Sequence, residues 1–289
     1  MKLTIPESMR AIDALRRLFP DSSRRTLQHW IKGGRFTVDD QPLERDDRVL
    51  EQGQVLEAQE TFQAKQAWDL KILYEDRYLI VIDKPENLLS VPLDGPSSKR
   101  HALGILQDHY QTDQIFAVHR IDRETSGVLI FARGFASREK FDVLFERHDL
   151  HREYFAVLEG RLPENRGRWE CSLVELPSFD VKISYDPTEG KQAITHYEVL
   201  RRSAKYTYAR LRLETGRKHQ IRVHCKEAGC PVLGDLRYGA TENPIRRLCL
   251  HAREIAFQHP FTGQYLRLTS PIPPPFKKIG ATDSLYEIT

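Results

Sequence analysis

Within the stretch HRIDRETSGVLIFAR, His119 to Arg133, five ionisable side chains fall in six positions, and an apolar run follows at once. The run IFAVH ends at His119 and VLIFA begins at Val128, so Asp122 is expected in a turn between two buried strands, completed by Thr125-Ser126-Gly127. An aspartate there has two readings. It can close an Asx-turn by accepting backbone N–H groups two residues on, or it can be a reactive carboxylate. Arg120 and Arg123 flank it, and neither guanidinium can turn inward unless it meets a partner or an anion.

A second basic group lies in TGRKHQIRVHCKEAG, Thr215 to Gly229. A strand runs into Thr215-Gly216, and a helix is expected from about His219 to Ala228, closed by Gly229 with Pro231 beyond. On it His219, Arg222 and Lys226 recur at i, i+3 and i+7 and share a face, while Ile221, Cys225 and Ala228 can face a core. With Arg217 and Lys218 in the preceding turn, that face offers phosphate contacts or an arginine to hold a buried carboxylate. His219 and His224 stand at i, i+5 on different faces, so no metal pair is expected. In HREYFAVLEG, Tyr154 and Phe155 alternate and face opposite sides of a strand. Tyr154 is either sheet packing or a ring on which a base can stack.

The elements that position these groups read as an α+β chain. In residues 8–19, Met9, Ile12, Leu15 and Leu18 recur at helical spacing and Pro20 stops the helix. Asp21, Ser22 or Ser23 can cap a second helix, RRTLQHWIK, before a strand-turn-strand hairpin. ETFQAKQA is polar, without apolar periodicity, and reads as a linker. Beyond it short strands dominate: LKILYEDRYLIVIDKP holds two around a turn, and YARLRLE alternates with Ala209, Leu211 and Leu213 on one face. A helix is expected from about Ser137 to Arg147, capped by Ser137. The expected domains are 1–60, a linker at 61–67, and 68–289 with a large, mostly antiparallel sheet.

The 289 residues are 40% hydrophobic and 29% charged, with a net charge of +3. No apolar run approaches the ~20 residues that span a bilayer, and the four cysteines lack CxxC spacing, so the chain reads as a cytosolic globular protein with no zinc cluster. Between Arg10 and Arg35 seven Lys/Arg face Asp13 and Asp21, whereas from Phe36 to Glu60 Arg45 and Arg48 face eight acids. Arg24, Arg25 and Lys32 put the basic part on the second helix, a surface suited to a polyanion or simply a solvated helix face. The chain has no Gly-rich phosphate loop.

Together these motifs resemble the RluA-type pseudouridine synthases. HRIDRETSG is similar to their HRLDxxTSG motif, LYEDRYLIVIDKPENL to their first motif, EYFAVLEG to the segment with the active-site tyrosine, and TGRKHQIRVH…PVLGDLRYG to their last. The likeness spans roughly residues 68–275, and residues 1–60 resemble, less strongly, an S-four-like RNA-binding domain. Asn87 stands where the family usually has Gly, Arg152 where it has Lys, and Asp40-Gln41 where the S-four-like hairpin has Asn-Gly. The resemblance implies a catalytic domain of pseudouridine-synthase type after a small αα-hairpin RNA-binding domain. It implies isomerisation of uridine in structured RNA, ribosomal RNA favoured and transfer RNA possible, with no cofactor, metal, membrane or protein partner, by a monomer.

The same resemblance gives Asp122 the essential role at C1′ or C2′ of the ribose, Arg222 the guanidinium that orients it, and Tyr154 the ring that stacks on a flipped uracil and can take the C5 proton. Arg120 enters the space vacated by the base. His119, Arg123, Arg217, Lys218, His219, Arg24, Arg25 and Lys32 complete the expected RNA contacts. A direct Asp122–Arg222 pair at ~2.7–2.9 Å is expected, because a buried carboxylate needs a partner. Two rivals remain: an RNA-binding protein without activity, which predicts loss of Asp122, Tyr154 or Arg222, and a base-excising hydrolase, which needs a second carboxylate such as Glu124 or Glu153.

Overall fold

A computed structural model gives the fold of residues 2–20, 22, 24–32, 34–58, 70–92, 100–186, 188–277 and 279. The expected linker at 61–67, two of the three expected cap residues (Asp21 and Ser23), and the side chains of Arg25, Thr26, His29 and Lys32 lie outside the described residues. The chain divides into two compact units, residues 1–69 with 108–112 and residues 70–107 with 113–289.

The first unit holds β1 (Lys2–Thr4), β2 (Met9–Arg10), α1 (Ala11–Leu18), α2 (Arg24–Lys32), β3 (Phe36–Val38), β4 (Gln41–Pro42), β5 (Val49–Leu50) and β6 (Val55–Ala58). Ile12 and Leu15 of α1 and Leu27 and Ile31 of α2 share one buried cluster with Phe36, Val38 and Leu56 of the strands. The expected αα-hairpin domain is therefore corrected: the two helices are only half of the unit. A four-stranded sheet, ordered β1-β6-β3-β4, supplies the other half, because two helices this short cannot bury both apolar faces on each other alone. The hairpin turn is Asp39-Asp40, both left-handed at φ 49 and 63, one residue earlier than the sequence suggests. Such a two-residue turn with both φ positive matches the twist of its strands.

The second unit contains β7 (Lys71–Glu75), β8 (Leu79–Lys84), all but the last three residues of α3 (Ala102–Tyr110), β9 (Ile115–Ala117), β10 (Ser126–Arg133), α4 (Phe135–Glu146), β11 (Leu150–Glu159) and β12 (Arg166–Glu175). There follow β13 (Val181–Ser184), β14 (Lys191–Arg202), β15 (Tyr206–Leu213), α5 (Gln220–Glu227), β16 (Leu250–Gln258), β17 (Tyr265–Thr269) and α6 (Pro274–Lys277). Eleven strands form one sheet, ordered β13-β12-β14-β15-β11-β16-β10-β8-β7, with β9 on β10 and β17 on β16.

This sheet is mixed, which corrects the expected mostly antiparallel one. β10 and β16 run parallel, pairing Ser126 with His251 and Gly127 with Ala252. A parallel pair needs a long crossover, and here it encloses β11 to β15 and α5, a relation no local pattern announces. Gly127 is required at the join: its φ is +112, and a Cβ there would strike the carbonyl oxygen of Ala252.

α4 begins after Gly134, whose φ is 80, and Ser137 is buried inside the helix instead of capping it. Phe141 of α4 packs on Val128, Ile130 and Phe257 beneath the sheet. Ala209 and Leu211 of β15 meet Ile221 and Cys225 of α5 in the largest core cluster, so the expected inward faces of both elements are the observed ones.

Candidate active site

Sheet register brings the three motifs together. Ala252 of β16 pairs with Gly127 on one side and Tyr154 on the other, and Tyr154 also pairs with Leu211. The turn that enters β10, the tyrosine of β11, and the end of β15 that leads into α5 thus share one row of the sheet. Phe155 points the other way, into a core with Tyr208 and Phe276. Side chains alternate across the pleat, so Tyr154 is left to the site.

Thr125 donates its backbone N–H to the main-chain carbonyl of Asp122 at 3.1 Å, so the Asx-turn reading leaves the carboxylate unspent. That carboxylate, 22% exposed, lies 3.5 Å from Nη1 of Arg222 and 4.0 Å from Nε2 of His219. Arg222 does not reach it with the fork expected. Its Nε and Nη2 each donate to Asp235 at 2.7 Å, a bidentate pair buried on both sides. Nη1, the remaining nitrogen, has no hydrogen-bond partner and stands 3.5 Å from Asp122 and 3.7 Å from Glu124. The expected distance of ~2.7–2.9 Å is therefore corrected to a looser pair, because Asp235 occupies the preferred geometry of the guanidinium.

His219 caps α5 in the left-handed region, at φ 51. Its Nδ1 lies 2.7 Å from the hydroxyl of Tyr238, and that oxygen also accepts the N–H of Val181 at 3.1 Å. With the hydroxyl proton given to Nδ1, every hydrogen is used and the Nε2 proton faces Asp122. Burial pushes His219 down to about 4, helped by Arg222, so the ring is neutral at physiological pH.

Burial also raises the Asp122 carboxyl above its ordinary value, with Arg222 pulling it back. Burial opposes the charge of Arg222 too, but the hydrogen bonds and charge of Asp235, then Asp122 and Glu124, hold its pKa above the usual value. Tyr154 is pushed up to about 12 by burial and stays a phenol. Behind the turn, Lys84 is fully buried and donates to the carbonyls of Pro85, Leu88 and Arg123 at 2.9, 2.7 and 3.1 Å. Burial lowers it to about 7, yet three carbonyl acceptors suit the three N–H bonds of the ammonium form. It ties the first motif to the reactive turn, and Asn87 in that motif adopts φ 61, as its tolerance of the left-handed region suggests.

Asp122, Tyr154, His219 and Arg222 line a cleft of about 510 Å³, with Arg120, Arg152 and Arg217 around them. Among the described residues no group of His, Cys, Asp and Glu converges to hold a metal ion, and no helix is long and apolar enough to cross a membrane. The family profile described as RNA pseudouridylate synthase matches residues 78–227, which takes in the reactive turn, Tyr154 and α5. The chain belongs to this family.

It is an RNA pseudouridine synthase, an isomerase. It is 32% identical over 300 residues to ribosomal large subunit pseudouridine synthase D of Xanthomonas campestris, covering 95% of this chain and 90% of that one. It is 33% identical over 286 residues to the protein of that name from Pseudomonas aeruginosa, covering 90% and 87%. Human RNA pseudouridylate synthase domain containing 4 shares the fold with a TM-score of 0.59, at 24% identity, over 71% of this chain and 90% of that one.

On the scaffold of this pseudouridine synthase, Asp122, Tyr154, Arg222, His119, Arg120, Arg217 and His219 come together in the cleft. The two histidines are buried or half-buried neutral groups, not cationic phosphate contacts. His119 accepts the N–H of Ile130 at 3.0 Å and stacks on Phe145, and burial lowers it to about 3. Lys218 lines a neighbouring cleft and pairs with Glu175, while Arg123 is exposed and outside the site. In the first unit, Arg24 lies 3.5 Å from Asp46, whereas the side chains of Arg25 and Lys32 fall outside the described residues.

Sequence reasoning passed over Asp235, Tyr238 and Lys84, and read Arg152 only as a departure from the family's Lys. Asp235 and Tyr238 lie in the quoted stretch PVLGDLRYG, and their signal was the need of a buried Arg222 for a second carboxylate. Arg152 donates to the carbonyl of Glu214 at 3.2 Å, and a Cβ at Gly216 would collide with its guanidinium, so that glycine makes room for it.

Proposed function

We propose that this synthase converts specific uridines of large-subunit ribosomal RNA to pseudouridine. The observation that carries the reading is Asp122, a carboxylate held in a loose 3.5 Å pair with Arg222 in a cleft walled by Tyr154 and cations. The names of the relatives from Xanthomonas campestris and Pseudomonas aeruginosa supply the RNA class.

In this reading the uridine leaves its stack, Arg120 fills the gap, and the uracil lies on the ring of Tyr154. Asp122 acts at the ribose, by attack on C1′ or by removing the C2′ proton; both need the ionised carboxylate. The N1–C1′ bond breaks, the base turns, the C5–C1′ bond forms, the C5 proton leaves and N1 gains one. Asp235 keeps Arg222 from closing on Asp122, which leaves the carboxylate free to react, while the guanidinium charge at 3.5 Å opposes the effect of burial on its ionisation. Tyr154, at about 12, serves as the stacking ring more readily than as the C5 base. Residues 1–60, an S-four-like domain by resemblance, add affinity for RNA, while 68–289 carry the chemistry and act as a monomer.

Pseudouridine mapping of total RNA from cells with and without the gene tests this. Loss of one or more sites from large-subunit ribosomal RNA is the expected result. Loss confined to transfer RNA, or an unchanged map, contradicts it.

A further inference from the structure

A second cleft of about 440 Å³ shares Arg120, Gly216 and Arg217 with the active site and is walled further by Glu175, Lys191 and Lys218. Four cations face a single carboxylate there, and Glu175 is paired with Lys218. At its margin stands the turn between β12 and β13. Leu176 donates to the carbonyl of Asp180 and Phe179 to that of Leu176, each at 2.8 Å, and the Asp180 carboxylate accepts from Ser178 and Arg237. The turn is closed and braced.

Within it Phe179 adopts φ 63, a strained conformation for a bulky residue, and its ring is 69% exposed. The Nζ of Lys218 lies 5.1 Å from the ring centre. The ring stands largely in water with that ammonium beside it. An aromatic face beside a basic groove is the arrangement that holds single-stranded nucleic acid: cations track the backbone and the ring takes a base.

We propose that the β12–β13 turn is a stacking platform for a base beside the flipped uridine, the RNA backbone crossing the cleft of Arg120, Lys191, Arg217 and Lys218. The inference rests on the reading that the active-site cleft takes a uridine of RNA, and it assigns Phe179 to substrate recognition.

The test uses the full chain and a large-subunit ribosomal RNA transcript carrying uridine tritiated at C5. Filter retention reads binding and tritium release reads the reaction. Phe179→Ala should raise Kd and KM roughly tenfold with kcat within twofold, the loss expected for one stacked base. Phe179→Trp should stay near wild type, and Tyr265→Ala, an equally exposed aromatic on β17, should change nothing. Lys191→Glu should weaken binding and flatten its salt dependence by about one phosphate contact. Retention and KM of Phe179→Ala within twofold of wild type would overturn the proposal. Failure of the wild type to release tritium, with the retention difference intact, would remove uridine from the active-site cleft and leave the RNA surface standing.

Discussion

Two arginines at the same cleft show two uses of a charge. Arg222, on α5, is buried, and two of its nitrogens are committed to Asp235 at 2.7 Å. Arg120, on the reactive turn, is exposed and lines both clefts. The back wall around Arg222 is fixed before any substrate arrives, so its groups cost no reordering during the reaction. The rim around Arg120 keeps its charge for the substrate. The difference teaches where to expect effects on chemistry and where on binding.

The largest predicted effect falls on the buried interior. His119 and His251 are lowered to about 3, and His219 and His224 to about 4, all first by burial. Each is neutral when folded and protonated when unfolded between those values and its ordinary 6.5. The unfolded chain therefore binds more protons, and stability present above about 6.5 is lost as pH falls. Each histidine contributes up to about 1.4 kcal/mol per pH unit in that window. Thermal melts should show Tm dropping steeply from pH 6.5 towards 4; a flat Tm across that range would contradict the burial of these rings.

Asp235→Asn should come next. It leaves the Arg222 charge buried beside a weaker acceptor, at a cost of roughly 3 kcal/mol in denaturant melts. Freed from its fork, Arg222 can close on Asp122, and kcat should fall roughly a hundredfold. Arg222→Lys keeps the charge but loses the planar fork, and should cost kcat at least tenfold with KM little changed. On the rim the pattern reverses: Arg120→Ala should raise KM by roughly fivefold to tenfold with the melting curve unmoved. The smallest effect belongs to Arg24→Ala, an exposed residue 3.5 Å from Asp46, which should weaken RNA binding by roughly twofold and leave kcat alone. An Arg120 variant that loses kcat and stability, or an Asp235 variant that loses only affinity, would erase the distinction.

Much of the fold was legible because it is local. Helical spacing and Gly229 set α5, and alternation placed Ala209 and Leu211 inward and turned Tyr154 away from Phe155. Gly134, not Ser137, starts α4, since a glycine at positive φ redirects the chain where the sequence offered a polar cap. The parallel β10–β16 join and β1, β2 and β5 of the first unit were hidden, as register between distant segments and strands of two or three residues leave no period to read. At the site the same boundary holds. The charge cluster marked Asp122, and α5 marked Arg222, but the owner of the arginine fork is a third residue that packing brings in. A carboxylate expected as the partner of Arg222 proved to be its neighbour.

The central claim is that the charge of Asp122 performs the isomerisation. Its most direct test is Asp122→Asn in the full chain, assayed for tritium release and retention on the same ribosomal RNA transcript. The side chains are nearly isosteric and Arg222 keeps Asp235, so the fold and RNA binding should persist while tritium release falls below detection. Turnover near wild type in a folded, RNA-binding Asn variant would contradict the account.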